Sequence, residues 1–344
     1  MKPCELLFLN RDDVIAAGGM DMSVIVPEIE KAFTALHAGN AIQPAKTTLK
    51  YAGAHEKYNG LVNVLPAALK DDESTVFGLK ALGAMPSNIE RGIPRATGLV
   101  VLFDGDTKTP KAVMDGQVIS AMRTGAVSAL AAKKLCRADS KTLGLIGAGV
   151  NMRTQLLGLL SVLPHITNVH VYSRGESKHD FVRDMSARFP ALAFHAALSA
   201  EAAAEPADVI VTCVANSDAP VVKKAAVNRP GVTVFNIGCL ENEPELLSDM
   251  DLIISDHWEH SKHRGVQTHA VAYQRGIIRD DDVINLSEIV AGSHPGRVSA
   301  EERIFFCPTG LGVEDVAVAR RLVERAIEAN IGTPLNLWSD EKWI

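Results

Sequence analysis

Hydrophobic and polar positions follow several different periods along the chain, and each predicts a different kind of element. Between Asp21 and Leu36, the residues Ile25, Ile29, Ala32, Phe33 and Leu36 recur at the spacing of an amphipathic helix. Asp21 or Ser23 is placed to cap it, and Pro27 is tolerable only near its first turn. The runs 46–51, 61–65, 76–82 and 99–104 are β-rich and separated by turn chemistry, with Asp104-Gly105-Asp106-Thr107 reading as a hairpin turn. They predict a mostly antiparallel sheet. The alanine-rich stretch 119–135 is periodic and predicts a helix that ends near Cys136-Arg137-Ala138-Asp139.

Beyond residue 141 the pattern changes to short apolar runs at 142–146, 169–172, near Ala193, 209–214, 232–237 and 252–255, separated by helical segments. Strands alternating with helices at this spacing predict a parallel, doubly wound sheet with its ligand at the carboxyl ends of the strands. The last stretch, 308–330, places Val316, Ala317, Ala319, Leu322, Val323 and Ile327 on one helical face, which is expected to return and cover the first domain. The predicted architecture is therefore α/β, with a doubly wound domain over residues 138–313. It is inserted into an α+β domain made of 1–137 and 314–344, and a cleft between the two is the expected home of a small-molecule site.

Composition narrows the class of ligand. A length of 344 residues, 47% of them hydrophobic, is enough for two cores. A net charge of -6 with no long basic run points away from nucleic acid and anionic membranes as partners. The five cysteines are scattered without a CxxC pair, and no run approaches the length of a membrane span. These features lead to the expectation of a cytoplasmic protein acting on a small molecule. His257, His260 and His263 recur every three residues, but no other ligand cluster accompanies them and no metal is expected.

The sharpest candidate chemistry is TLGLIGAGVNMRTQ, from Thr142 to Gln155, in which an apolar run leads through Gly147-Ala148-Gly149 into Val150 and Asn151. A strand, a tight glycine turn and a helix start suit a pyrophosphate, which must approach the backbone closely and face the free N–H groups of the helix. Met152 stands where the third glycine of the dinucleotide fingerprint falls, so the pattern is GxGxxM. At the end of the second strand, Ser173 and Arg174 stand where an NAD enzyme usually has an acid, which suits a 2′-phosphate and favours NADP over NAD.

The segments from Pro94 to Leu135, LGLIGAGVNMRTQ, and CPTGLGVEDVAVA near the end resemble the ornithine cyclodeaminase/mu-crystallin family over nearly the whole chain. The resemblance implies a homodimer joined through the N-terminal domain, a Rossmann domain holding NAD or NADP, and a substrate with a carboxylate beside an amine or imine. It implies that Arg123 grips the substrate carboxylate, that Lys80 is a second carboxylate partner or proton relay, and that Lys46 helps to bind substrate. Thr124 would touch the cofactor phosphate, Val214, Ala215 and Asn216 would line the cofactor, and Gly310 would pass near the nicotinamide. Cyclodeaminases carry an aspartate after the fifth strand, whereas this chain reads NIGCLENEPEL there. Glu241 is the carboxylate placed to act as acid or base, with Glu243 and Glu245 as rivals. This departure brings the chain nearer to the amino-acid dehydrogenase and imine-reductase members, such as the N-(2-amino-2-carboxyethyl)-glutamate dehydrogenase type. Ornithine cyclodeamination and a mu-crystallin-like carrier of NADPH and a carboxylated ligand are the alternatives.

Overall fold

The computed structural model describes residues 3–50, 60–71, 74–215 and 219–339. The chain forms two compact units, residues 1–123 with 311–344, and residues 124–310. The first boundary lies inside the helix Gly116–Leu135, where the sequence pattern places it after the helix. The reason is local. Ser120 and Arg123 pair with side chains of the first unit, whereas Gly125 packs against Gly158 of the second.

In the first unit, β1 (Cys4–Leu9), β2 (Ala41–Ile42), β3 (Thr47–Leu49), β4 (Leu61–Lys70), β5 (Thr75–Ala84), β6 (Ala96–Asp104) and β7 (Pro110–Asp115) join a C-terminal strand, Thr333–Trp338. The sheet order is C-terminal strand, β1, β7, β6, β5, β4, β2, with β3 also paired to β4. All pairs are antiparallel except β1 with β7. The hairpin between β6 and β7 turns where the sequence predicts it, the Asp104 carboxylate accepting from the backbone N–H groups of Asp106 and Thr107. The register sorts side chains into two faces. Leu65, Ala67, Val76, Gly78, Lys80, Val100, Leu102, Ala112 and Met114 point to one face and are buried. The helix Gly312–Glu328 lies on that face, close enough that a Cβ on Gly78 would come within 2.9 Å of Val316 Cγ2. The opposite face carries Val64, Pro66, Phe77, Leu79, Leu99, Val101 and Phe103, all apolar and partly or fully exposed.

The helix Met22–His37 begins as expected, the Asp21 carboxylate accepting from Ser23 N–H. It continues through Pro27, which lies beyond its first turn. Ile25, Ile29, Ala32 and Phe33, all fully buried, anchor it there and compensate for the hydrogen bond that proline cannot donate.

The second unit contains β8 (Thr142–Ile146), β9 (Asn168–Tyr172), β10 (Ala193–Ala196), β11 (Val209–Thr212), β12 (Thr233–Asn236), β13 (Leu252–Ser255), β14 (Val283–Asn285) and β15 (Ile304–Cys307). They form one sheet in the order β10-β9-β8-β11-β12-β15-β13-β14, with every pair parallel. The doubly wound prediction is correct, and β14 and β15 extend it. The chain reverses direction across the sheet between β8 and β11, which places the carboxyl end of β8 at the switch point where such folds bind ligands. Among the described residues no helix is long and apolar enough to cross a membrane.

Candidate active site

Four charged side chains meet in the interior of the first unit. Lys80, on the covered face of β5, is 1% exposed. Its Nζ is 2.7 Å from the Asp315 carboxylate and 3.0 Å from Ser120 Oγ. Arg123 lies one helical turn beyond Ser120 and is 9% exposed. Its Nη1 is 2.6 Å from Glu314 Oε2, and its Nε is 3.2 Å from Asp315 Oδ1. Glu314 and Asp315 are fully buried in the first turn of the helix Gly312–Glu328, where a helix dipole favours carboxylates. That turn is fixed against β4, since a Cβ on Gly312 would meet the Leu65 carbonyl at 2.7 Å, and Gln43 Oε1 accepts from Val313 N–H at 2.8 Å.

The four charges balance, which is what makes their burial tolerable. Burial, and after it the neighbouring Arg123, lower the Lys80 ammonium to about 8 against the opposing pull of Asp315 and Glu314. Sequence reasoning finds Lys80 and Arg123 but not their partners. The signal for the partners was there, in two adjacent acids inside the apolar run GVEDVAVA. Lys46 is half-buried in the segment before β3.

In the second unit, Gly147-Ala148-Gly149 joins β8 to the helix Val150–Leu160. Gly147 has φ +122°, and a Cβ there would come within 2.2 Å of the Cys213 carbonyl oxygen, so glycine is required by both conformation and space. Gly149 differs. It caps the helix with no side-chain hydrogen bond, and nothing lies within 4 Å of where its Cβ would be. Val150 beside it is 61% exposed. An open glycine cradle before a helix whose first N–H groups have no partner inside the helix fits a dinucleotide pyrophosphate.

The third glycine of the fingerprint is replaced in function as well as in sequence. Met152 is fully buried, and close packing is provided further along by Gly158, whose Cβ would sit 2.2 Å from the Gly125 carbonyl oxygen. Gln155 Nε2 donates to the Thr124 carbonyl at 3.0 Å, so the glycine-loop helix holds Thr124 directly.

Around the loop, Ser173 Oγ bonds Ser177 Oγ at 2.9 Å, and Arg174 Nη2 donates to the Ala215 carbonyl at 3.3 Å. The structure thus brings Arg174 and Ala215, taken from different strand ends, into contact. Asn216 lies outside the described residues. Asp256, after β13, is 1% exposed and accepts from Thr309 N–H at 2.8 Å, Thr309 Oγ1 at 2.9 Å and Gly310 N–H at 2.7 Å. Nothing in the sequence pattern singles Asp256 out, because its partners lie some fifty residues further along the chain.

Glu241 is 2% exposed, with Oε1 2.6 Å from Val214 N and Oε2 2.9 Å from both Thr212 Oγ1 and Gly238 N. Burial pushes its carboxyl up to about 7 against the pull of these donors. Its rivals differ from it in surroundings. Glu243 accepts from Lys224 N–H, and Glu245 pairs with Arg275 at the surface.

The model of the ornithine cyclodeaminase/mu-crystallin family matches residues 7–330. Among similar proteins is the N-((2S)-2-amino-2-carboxyethyl)-L-glutamate dehydrogenase of Staphylococcus aureus, 30% identical over 97% of this chain and 99% of that protein. The Delta(1)-pyrroline-2-carboxylate reductase of Thermococcus litoralis, solved with NADH and L-proline, superposes with a TM-score of 0.87 at 31% identity, covering 95% of this chain and 99% of that one. An archaeal alanine dehydrogenase dimer with bound NAD also superposes at 0.87, with 32% identity over 97% and 100% of the two chains. With the glycine turn, the buried Lys80 and Arg123 and the inserted parallel sheet already in place, these matches establish that the chain belongs to the ornithine cyclodeaminase/mu-crystallin family.

Proposed function

We propose that this protein is an NAD(P)-dependent oxidoreductase acting on the C–N bond of an amino acid or its imine. The observation that carries the reading is the buried quartet of Lys80, Arg123, Glu314 and Asp315. Arg123, its guanidinium plane held by two carboxylates, takes the substrate carboxylate and so orients the α-carbon. Lys80, with its ammonium lowered to about 8, holds or passes a proton at the substrate nitrogen or the adjoining carboxylate. Lys46 supplies further positive charge for substrate. Because the quartet is already neutral, a substrate carrying both a carboxylate and a protonated nitrogen leaves the balance unchanged, whereas a carboxylate alone would add net negative charge. The nicotinamide cofactor supplies the hydride.

On the cofactor side, Gly147, Ala148, Gly149, Val150 and Asn151 would receive the pyrophosphate, Thr124 a phosphate, and Val214, Ala215 and Gly310 the remainder. Solved relatives carry NADH or NAD. In this chain the hydroxyl of Ser173 and the guanidinium of Arg174 favour NADP(H) without excluding NAD(H). The exposed apolar face around Leu79, Leu99 and Phe103 is the surface that a second copy covers, making a homodimer.

The test is a panel of amino acids with oxidised cofactor, and of 2-oxo acid and amine pairs with reduced cofactor, read by nicotinamide absorbance. Steady turnover is expected, and Arg123→Ala is expected to raise KM for the acid by about 100-fold, the size of a lost buried charge pair. Formation of proline and ammonia from ornithine with no net cofactor change would replace this reading with cyclodeamination. Tighter binding of NADH than of NADPH in a direct titration would overturn the NADP(H) assignment.

A further inference from the structure

The geometry points to a role for Glu241 other than acid–base chemistry: we propose that it is a positioning residue that shapes the dinucleotide site. This rests on the reading that the second unit holds a nicotinamide dinucleotide.

The carboxylate joins the carboxyl ends of two neighbouring parallel strands. Oε2 takes the Thr212 hydroxyl at the end of β11 and the N–H of Gly238 just past β12, while Oε1 takes the N–H of Val214. The backbone carbonyl of the same residue accepts from Val221 N–H at 2.8 Å and Val222 N–H at 3.2 Å. One residue therefore holds Val214 just past β11 and also Val221 and Val222. The loop is also closed onto the side chain: a Cβ on Gly238 would come within 2.4 Å of Glu241 Oε1.

A buried amide network backs this clamp. Asn236 Nδ2 donates to the carbonyls of Gly238 and Cys239, Asn242 Nδ2 to Asn236 Oδ1 and Thr212 Oγ1, and Thr268 Oγ1 to Asn236 Oδ1. The clamp leads directly to the glycine turn, because Cys213 N–H donates to the Ile146 carbonyl at 2.9 Å and the Cys213 carbonyl limits the space at Gly147. Val214 and Ala215 follow at once, and the Ala215 carbonyl takes Arg174. Through Val214, Glu241 sets the backbone path of the strand-end segment that lies beside Gly147 and meets Arg174. With both oxygens taken up by donors and its side chain enclosed, the carboxylate is built to hold backbone.

The experiment uses the full-length protein and the variants Glu241→Gln and Thr212→Val, the second removing the hydroxyl that donates to Glu241 and accepts from Asn242 Nδ2. NADH and NADPH dissociation constants are measured by direct titration, and kcat, substrate KM and the pH profile of kcat are measured at saturating cofactor. Glu241→Gln is expected to raise the cofactor Kd about tenfold or more, since its amide N–H₂ must face a backbone donor. Thr212→Val should shift Kd in the same direction by less, and in both variants kcat at saturation and the shape of its pH profile should be kept. Unchanged cofactor Kd with a kcat about 100-fold lower and a lost limb of the pH profile would make Glu241 an acid or base instead and overturn the proposal. Wild-type values throughout would overturn it too. If Glu241→Gln does not fold, Thr212→Val decides the question alone. Failure of the wild-type chain to bind either dinucleotide would refute the underlying reading.

Discussion

Replacing Asp315 with asparagine isolates the electrostatic work of the quartet, because the amide keeps the size of the side chain and one acceptor while removing the charge. Asp315 lies 2.7 Å from Lys80 Nζ and 3.2 Å from Arg123 Nε, fully buried. At the first distance, with an effective dielectric of about 20, the gross attraction is roughly 6 kcal/mol. Removing one partner of a buried pair costs about 3–5 kcal/mol net. Glu314 would then stand alone against two cations, and Lys80 is the one that can release a proton. Its value of about 8 falls further in Asp315→Asn, because the two effects of Asp315 that raise it are gone. For a lysine whose folded pKa lies below its unfolded one, the cost of charging is fully present below the folded value and fades as pH rises toward the unfolded value. The stability deficit of Asp315→Asn should therefore be large at about pH 6 and smaller at about pH 9. At roughly 2–4 °C per kcal/mol, Tm at the lower pH should fall by at least about 6 °C. Thermal melts at both pH values and the pH profile of turnover check this. A variant that melts like wild type at the lower pH, with its alkaline activity limb unmoved, would refute the argument.

The two glycines of the turn should separate folding from binding. Gly147→Ala forces a Cβ against the Cys213 carbonyl at positive φ, and should lower Tm by several degrees, corresponding to about 1–3 kcal/mol. Gly149→Val enters open space, so Tm should stay near wild type while cofactor affinity falls about tenfold or more, as read by titration. On the apolar face of the first unit proposed to hold a second copy, Leu99→Arg puts a charge on an exposed apolar position, and the protein should become monomeric at micromolar concentration by light scattering. An unchanged dimer would place the interface elsewhere.

Along the chain, local pattern alone was enough for the helix capped by Asp21, the hairpin at Asp104, the four strands from β3 to β6 and the alternation that makes the second sheet parallel. These depend on periods of two and three-to-four residues and on caps a few positions away, so the information is contained in the segment itself. The same is true of Gly147 and Gly149, since a strand, a turn and a helix start lie within fourteen residues. Lys80 and Arg123 became legible through resemblance rather than period.

The rest waited for tertiary structure because it depends on residues far apart in sequence. The strands β1 and β7 pair parallel across about a hundred positions, and the C-terminal strand closes the sheet beside β1 from the other end of the chain. Lys80 meets Asp315 across a separation of 235 residues, and no window along the sequence contains both. The clearest case is Glu241. In sequence it is one of three acids in a polar turn, open to a role as acid or base. Only the meeting of two parallel strand ends encloses it and fills its oxygens with Val214, Thr212 and Gly238, so its chemistry depends on which backbone donors the fold brings to it.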